Sequence, residues 1–284
     1  MQDKEKRLKK PDWLKIKLPD ALEYSKIKDV LRKKNLHTIC ESGSCPNKGE
    51  CWGAGTATFM ILGNICTRGC HFCDVSIGKP AEPDKFEPLR IGEAILQMSL
   101  KHAVITSVTR DDLPDSGAAH WSKTIRVAKV ISPETTIEAL IPDMKGNIFD
   151  LQTIIDAEPD IISHNLETVK RLTDIVRSGA NYKNSLKIIE YIAESGETAK
   201  SGIMVGLGET DEEIYKTMDD LLDAGCKIIT IGQYLQPTYK HLPVKRYVKP
   251  QQFDDYRNIA LKKGFKFVES APLVRSSYHA EKHI

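Results

Sequence analysis

The segment Cys66–Cys73, with the sequence CTRGCHFC, carries three thiols at CxxxCxxC spacing just after an apolar run, Phe59–Leu62. Three cysteines do not close a four-ligand metal site. On a tetrahedral zinc ion they leave one position open, and on a four-iron cluster they leave one iron without a protein ligand. An iron of that kind can hold a small molecule. The alternative is a structural zinc loop in which His71 supplies the fourth ligand.

A second group of thiols precedes the first. Residues 40–51, with the sequence CESGSCPNKGEC, place Cys40, Cys45 and Cys51 at CxxxxCxxxxxC spacing. The glycines and the proline of this stretch predict a loop whose backbone N–H groups can turn toward sulfur. Two incomplete triples favour two separate clusters, although one four-cysteine zinc site with spare cysteines remains an alternative. The seventh cysteine, Cys226, is expected to be a small buried hydrophobe.

The composition is that of an ordinary globular protein, with 284 residues, 40% hydrophobic and 28% charged residues and a net charge of +2. This balance does not suggest a nucleic-acid partner. The chain has no apolar run near the ~20 residues of a membrane span, and its charged start lacks the apolar core of a secretory signal. Six of the seven cysteines fall within residues 40–73, which indicates metal binding in a cytoplasmic protein rather than disulfides.

The first 34 residues are basic, with twelve Lys or Arg and six Asp or Glu. Met1–Lys10 is expected to be a frayed tip, and Tyr24–Lys34 is predicted to be a basic amphipathic helix. Such a face is either a solvated surface or a docking surface for an acidic protein.

From Thr56 onward, strand-like and helix-like segments alternate. The predicted strands are Thr58–Gly63, Ala103–Val108, Thr136–Ile141, Ile161–Ser163, Ile203–Leu207 and Ile228–Ile231, followed by a short final strand, Phe265–Val268. The predicted helices are Ile91–Lys101, Ala118–Ile131, Asp150–Ala157, Asn184–Glu194 and Asp211–Ala224; in the last, Thr210 and Glu213 form a capping box and Gly225 ends the helix. Doubly buried strands separated by helices predict a parallel sheet. Without a GxGxxG motif at the first helix, the pattern favours an α/β fold of the partial (β/α)6 TIM-barrel type over a doubly wound sheet.

Polar residues gather where these strands are predicted to end, on the face where parallel barrels place their chemistry. The polar runs are Thr106–Gly117, His164–Thr168, Gly206–Glu209 and Gln233–Leu235, and Glu138 lies within the third strand. Their shared position predicts a ligand pocket, although each run by itself is ordinary loop chemistry.

The two thiol triples, the run Arg110–Asp115, the run His164–Thr168 and the terminal Arg275–Tyr278 together resemble the lipoyl synthase family of the radical S-adenosylmethionine (SAM) enzymes, from about Pro11 to Glu281. The resemblance implies that Cys66, Cys70 and Cys73 hold the [4Fe–4S] cluster that cleaves SAM. It implies that Cys40, Cys45 and Cys51 hold an auxiliary [4Fe–4S] cluster, with the Ser277 oxygen as its fourth ligand. The candidates to hold SAM are Thr106, Ser107, Glu138, Asn165 and Arg177, with Gly206 and Gly208 allowing the backbone to approach the adenine.

The same resemblance implies the insertion of two sulfur atoms at C6 and C8 of a protein-bound octanoyl-lysine, with sulfur from the auxiliary cluster and two SAM molecules consumed. The implied substrates are octanoylated lipoyl domains or the glycine-cleavage H protein. An electron donor of the flavodoxin or ferredoxin type and iron–sulfur cluster carrier proteins are further implied partners. The expected division of the chain is an N-terminal extension at 1–55 with the auxiliary loop, a barrel core at 56–235, and a C-terminal extension at 236–284 that closes the barrel and supplies Ser277.

Three rival functions remain at this point. A biotin-synthase-like or methylthio-transferring radical SAM enzyme needs a different second cluster or an additional RNA-binding domain. A two-cluster electron carrier has no use for polar strand ends around a barrel. A zinc-binding interaction module requires that several of the thiols bind the same zinc ion.

Overall fold

One mostly parallel sheet organises the computed structural model, which describes residues 8–15, 21–43, 45–53 and 56–278. The strands of this sheet are β1 (His37–Thr38), β2 (Thr56–Ile61), β5 (His102–Ser107), β6 (Thr136–Leu140), β7 (Ile161–Ser163), β8 (Ala199–Val205), β9 (Ile228–Gln233) and β10 (Phe267–Ala271), and the short strands β3 (Ile65–Cys66) and β4 (Ser76–Ile77) pair separately. The sheet follows the order β1-β2-β5-β6-β7-β8-β9-β10, and every neighbouring pair is parallel except β1 with β2. This arrangement confirms the predicted α/β class.

The crossovers between the parallel strands are helical. The helices are α1 (Ala21–Lys33), α2 (Ile39–Ser42), α3 (Lys48–Gly53), α4 (Glu87–Gln97), α5 (Ala118–Ile131), α6 (Ile148–Ile155), α7 (Thr173–Val176), α8 (Tyr182–Glu194), α9 (Asp211–Asp223) and α10 (Pro250–Lys263), with 3-10 turns at Asp12–Leu14, Met144–Gly146 and Lys170–Leu172. Helix α5 spans the predicted residues, and α9 has the predicted capping box between Thr210 and Glu213. Its stripe of Ile214, Met218 and Leu221 is fully buried, as amphipathic periodicity requires. In the described ranges no helix combines the length and the apolar surface needed to span a bilayer.

A polar cluster lies inside the sheet, beneath the strand ends. The Lys200 ammonium donates to Glu138 Oε2 at 2.9 Å, the Ser163 hydroxyl donates to Glu138 Oε1 at 2.5 Å, and His102 Nε2 lies 3.3 Å from Oε2. All four side chains are at most 1% exposed. We call them the buried charge cluster. The cluster explains why β8 begins at Ala199, four residues before the predicted start: Lys200 and Ser201 look like loop residues but lie inside the sheet.

The two ends of the chain extend the sheet. At the amino end, α1 begins earlier than predicted; it buries Ile27 and Leu31 and exposes Lys28, Arg32 and Lys33, so the predicted basic amphipathic helix is confirmed. At the carboxyl end, β10 pairs in parallel with β9, and residues 272–278 continue past the strand ends. Most of the expected frayed tip, the basic residues of 16–20, and the end of the family resemblance at 279–281 lie outside the described residues.

Candidate active site

A cavity of about 500 Å³ opens at the carboxyl ends of the parallel strands, and both thiol groups lie on it. Cys66, Cys70 and Cys73 line one part of its wall, and Cys40 and Cys45 line another. Cys51 is half-buried on α3 and is not one of the residues that line the cavity. The predicted ligand pocket is therefore present at the predicted face of the sheet.

The loop from Cys66 to Cys73 is anchored by backbone bonds on two sides. The Thr67 N–H donates to the Thr109 carbonyl at 3.1 Å, and the His71 N–H donates to the Val176 carbonyl at 3.0 Å. The N–H groups of Arg68 and Thr109 each approach Cys66 Sγ at 3.4 Å. Backbone donors aimed at a cysteine sulfur stabilise the thiolate form, which is the form that binds metal.

Arg68 fastens the same loop to the barrel. Its guanidinium donates to both oxygens of Asp111 at 2.6 and 2.9 Å and to Asp143 Oδ2 at 2.7 Å. Burial by itself lowers the pKa of Arg68, but the bonds to the two carboxylates outweigh it and raise the pKa above its ordinary value. Asp111 is thus an anchor of the thiol loop rather than a helix cap. The neighbouring Asp112 likewise pairs with the buried Arg110 at 2.9 Å.

The thiols within each group interact electrostatically with one another. Burial, with charge at Cys70, Glu167 and Cys66 acting in the same direction, raises the pKa of Cys73 to about 12. Burial likewise raises the pKa of Cys40 to about 11, with charge at Cys45 acting in the same direction. Thiols held in this way keep their protons until a metal displaces them.

The zinc alternative requires three or more ligands that converge on one ion. Across residues 8–15, 21–43, 45–53 and 56–278, no three His, Cys, Asp or Glu side chains converge as they must around one ion. The His71 ring is exposed, and its Nδ1 lies 2.7 Å from the Ile175 carbonyl oxygen, so it is not a ligand of its own loop. Three thiols per group, with backbone donors around them, fit an iron–sulfur cluster, whose thiolates bind separate irons.

The carboxyl-terminal segment reaches the thiol group of Cys40, Cys45 and Cys51. The Thr58 hydroxyl donates to Ser277 Oγ at 2.8 Å, and Thr58 also hydrogen-bonds the Cys40 thiol. Two further bonds fix this segment: the Asn47 side chain donates to the Leu273 carbonyl at 2.5 Å, and the Tyr278 hydroxyl donates to Glu50 at 3.0 Å. Ser277 therefore lies on the same wall of the cavity as Cys40 and Cys45.

Four of the seven predicted SAM residues, Thr106, Ser107, Asn165 and Arg177, line the cavity. The Ser107 hydroxyl and the Asn165 side-chain carbonyl are buried without a hydrogen-bond partner. Unpaired buried polar atoms on a cavity wall fit a polar ligand, since leaving them unbonded costs about 1–3 kcal/mol each. The Arg177 charge lies close enough to Cys70 to lower the pKa of that thiol, against the stronger raising effect of burial.

The other three predicted SAM residues do not line the cavity. Glu138 belongs to the buried charge cluster beneath it, where its two oxygens are already bonded. Gly206 and Gly208 both have left-handed backbone angles. A Cβ at Gly206 would strike the Gln233 side chain and come within 2.5 Å of the Arg246 carbonyl, so its glycine is required for packing of the chain after β9.

Three further residues of the cavity wall were not among the predicted SAM residues. Glu167 is half-buried at φ +65° and accepts from Asn165 at 3.0 Å, and desolvation raises its pKa. Arg275 faces both Glu167 and Cys45, whose charges oppose the lowering of its pKa by burial. Gly232 is needed because a Cβ there would collide with the Val274 carbonyl. A glycine inside an otherwise apolar strand was the one available signal of such a close approach.

Comparison with known proteins extends this description. A model of the radical SAM superfamily matches residues 60–221, and a model of the N-terminal domain of lipoyl synthase matches residues 1–45. The lipoyl synthase of Phocaeicola vulgatus is 62% identical over 277 residues, which cover 98% of each chain. The chain belongs to the lipoyl synthase family. The mitochondrial lipoyl synthase of Nematostella vectensis is 54% identical over 97% of this chain and 95% of that one.

Solved structures show the same fold at low identity. Methylornithine synthase superposes with a TM-score of 0.53 at 12% identity, over 76% of this chain and 71% of the other. Streptococcus suis SuiB bound to S-adenosylmethionine gives a TM-score of 0.60 at 11% identity, over 89% of this chain and 56% of the other.

Membership in the lipoyl synthase family confirms the resemblance drawn from the sequence. The chain is a radical SAM sulfurtransferase of lipoate biosynthesis that inserts sulfur into an octanoylated protein, and its cofactors are SAM and [4Fe–4S] clusters. The electron-carrier, zinc-module and biotin-synthase-like alternatives are set aside.

Proposed function

We propose that the two thiol groups of this lipoyl synthase family member divide the reaction between them. Cys66, Cys70 and Cys73 would hold the cluster that binds SAM, and Cys40, Cys45, Cys51 and Ser277 would hold the auxiliary cluster. When bound, the first cluster supplies the electron that cleaves SAM and the second supplies sulfur at C6 and C8 of the octanoyl chain. The observation that carries the proposal is the position of Ser277, whose Oγ bonds the same threonine that bonds Cys40.

The side chains between the two thiol groups suit SAM. The unpaired Ser107 hydroxyl and Asn165 carbonyl offer a donor and acceptors to its polar groups, and Thr106 lies beside them. Arg177 places positive charge near Cys70 and offsets thiolate charge there. We do not include Glu138, Gly206 or Gly208 among the SAM contacts, since none of the three lines the cavity.

The apolar part of the wall suits the octanoyl chain. It is contributed by Met60, Val108, Ile141, Met204 and Val274. Such a surface excludes water from a reactive radical and holds an unactivated hydrocarbon by burial, at about 25 cal/mol per Å².

Within this scheme, residues 1–55 carry the auxiliary loop, residues 56–235 form the barrel core, and residues 236–284 supply Ser277. The surroundings would be cytoplasmic, where thiols stay reduced. The chemistry also calls for a reductant of the flavodoxin or ferredoxin type and for proteins that deliver new clusters.

The octanoylated substrate would be a lipoyl domain or the glycine-cleavage H protein, docked on the basic face of α1. Reversing two exposed charges, K28E together with K33E, should raise the KM for an acidic octanoylated domain about fivefold at low salt, because a like-signed patch steers an acidic partner. Turnover of an octanoyl-lysyl peptide should not change. The matched control is K183E with K187E on α8, whose lysines are also exposed. Equal effects from the two pairs would remove α1 as the docking face.

The division of ligands is tested by iron counting after anaerobic reconstitution. The full chain should bind about eight irons, and replacing either cysteine triple with alanine should leave about four. Ser277→Cys should keep about eight irons but slow turnover at least about tenfold, since thiolate binds iron more firmly than a serine oxygen. The control Ser270→Ala removes a hydroxyl on β10 that donates to the Phe253 carbonyl at 2.8 Å. Unimpaired turnover of Ser277→Cys would contradict the proposed role of Ser277.

A further inference from the structure

Thr58, on strand β2, contacts both Cys40 and Ser277. Alternate residues of a strand face opposite sides of the sheet. Thr58 and Met60 accordingly line the cavity, while Phe59 is buried in the core. Thr58 is only 2% exposed, so its hydroxyl must find its partners within the protein.

Both neighbours of the Thr58 side chain are proposed ligands of the auxiliary cluster. The hydroxyl donates to Ser277 Oγ at 2.8 Å. The Thr58 backbone N–H also lies at the Cys40 thiol, where it favours the thiolate. Cys40 therefore has a donor other than the Thr58 hydroxyl, whereas the bond from Thr58 is the contact that the structure gives to Ser277 Oγ.

A threonine hydroxyl has one hydrogen, which it can donate to only one acceptor at a time. The Thr58 N–H already serves Cys40, and the structure directs the hydroxyl hydrogen to Ser277 Oγ. A serine that binds iron through oxygen carries negative charge, and a hydrogen bond to a charged oxygen is about twice as strong as one between neutral groups.

We propose that Thr58 is the positioning residue that fixes Ser277 as a ligand of the auxiliary cluster and sets how readily Ser277 releases its iron. Partners of this kind, one bond removed from the metal, orient the ligand and tune its binding. The inference rests on the proposed function, in which Ser277 is a cluster ligand. It adds that the stability of the bond between Ser277 and its iron depends on the Thr58 hydroxyl.

The test measures the rate at which a ferrous chelator removes iron from the anaerobically reconstituted, reduced enzyme. A chain with alanine at Cys66, Cys70 and Cys73 serves as a parallel background that contains the auxiliary cluster alone. Thr58→Val keeps the shape but removes the hydroxyl, Thr58→Ala removes it while leaving space, and Thr58→Ser retains it. The control Thr217→Val removes a buried hydroxyl on α9 that donates to the Glu213 carbonyl, away from the cavity. Electron paramagnetic resonance of the reduced auxiliary cluster is recorded in parallel.

Thr58→Val and Thr58→Ala should release the most labile auxiliary iron about tenfold faster than wild type. Loss of a residue that hydrogen-bonds a metal ligand typically costs about 10- to 100-fold in metal affinity, and this prediction takes the lower value. Thr58→Ser should stay within about twofold, and Thr217→Val should match wild type. A Thr58→Val chain that loads only about four irons while Thr58→Ser loads about eight would support the same dependence. Wild-type release rates and an unaltered resonance signal in both hydroxyl-free variants would overturn the proposal, as would equal losses in Thr58→Ser and Thr58→Val.

Ser277→Ala distinguishes this inference from the proposed function beneath it. If Ser277→Ala releases iron as slowly as wild type, the assignment of Ser277 as a ligand fails. If Ser277→Ala releases iron faster than wild type but Thr58→Val releases it at the wild-type rate, only the proposed role of Thr58 fails. If Ser277 is a ligand and Thr58 positions it, adding Thr58→Val to Ser277→Ala should not speed iron release any further, because both changes remove the same hydrogen bond.

Discussion

Removing the charge of Glu138 tests whether this residue supports the barrel or contacts SAM. Glu138→Gln keeps the shape of the side chain but leaves the Lys200 ammonium, which is 1% exposed, without its carboxylate. At the observed separation of 2.9 Å and an effective dielectric constant of about 20, the attraction between the two charges is about 6 kcal/mol. Desolvation offsets part of this attraction, and loss of one partner from a buried pair costs about 3–5 kcal/mol.

The size of this loss sets the expected thermal shift. An unfolding entropy of about 2.1 cal/mol/K per residue gives about 0.6 kcal/mol/K for 284 residues. Glu138→Gln should therefore lower the midpoint of thermal unfolding by about 5–8 °C, as followed by circular dichroism. Glu138→Gln combined with Lys200→Met removes both charges and should recover at least about half of that loss.

SAM binding provides the second measurement on the same variant. Because Glu138 lies beneath the cavity rather than on its wall, folded Glu138→Gln should bind SAM within about twofold of wild type in equilibrium dialysis. An affinity loss of about tenfold or more, with a midpoint shift under about 1 °C, would refute this reasoning and return Glu138 to the SAM site.

The remaining predictions concern the thiol loop, pH and the seventh cysteine. Arg68→Lys cannot hold Asp111 and Asp143 together, so it should lower the affinity of the Cys66–Cys73 loop for iron about tenfold, as measured by iron retained after gel filtration. Burial, followed by the Arg177 charge, lowers the pKa of His164 to about 4. Since the unfolded chain then binds more protons, stability should be lost as the pH falls from about 6.5 toward 4, and His164→Gln should flatten that slope in urea titrations. Cys226→Ala should leave the iron content unchanged and lower the thermal midpoint by only a few degrees, about 2–4 °C, because the thiol is buried and bonds the Ile228 carbonyl.

The positions of α5 and α9 and the location of the pocket could be predicted because they depend on local pattern, whereas α4 begins four residues before its predicted start and α10 was not predicted. The capping box at Thr210 and the apolar stripe of α9 are neighbours in sequence, and strand ends in a parallel sheet meet on one face. The start of β8 was missed because a buried lysine reads as a loop residue until its partner, 62 positions away, is known.

The predicted site residues also include some that local sequence pattern places correctly and one that it does not. Thr106 and Ser107 close β5 and line the cavity, whereas Glu138 is the third residue of the five-residue strand β6, where its side chain is committed to the buried charge cluster. The sequence spacing of polar residues does not show whether a side chain lines the cavity at the strand ends or is buried in the interior of the barrel. The contact between Thr58 and Ser277 was beyond sequence reasoning, since it joins positions 219 residues apart.

That separation has a consequence for biosynthesis. At roughly 5–20 residues per second, a ribosome would release Ser277 on the order of 10–45 s after Thr58. A nascent chain would thus present its earlier cysteines long before the last strand, β10, could dock beside β9 and bring the serine alongside them. In the proposed assignment of ligands, only a chain translated through Ser277 would offer all four ligands of the auxiliary cluster, so a product that ends earlier would lack the serine oxygen.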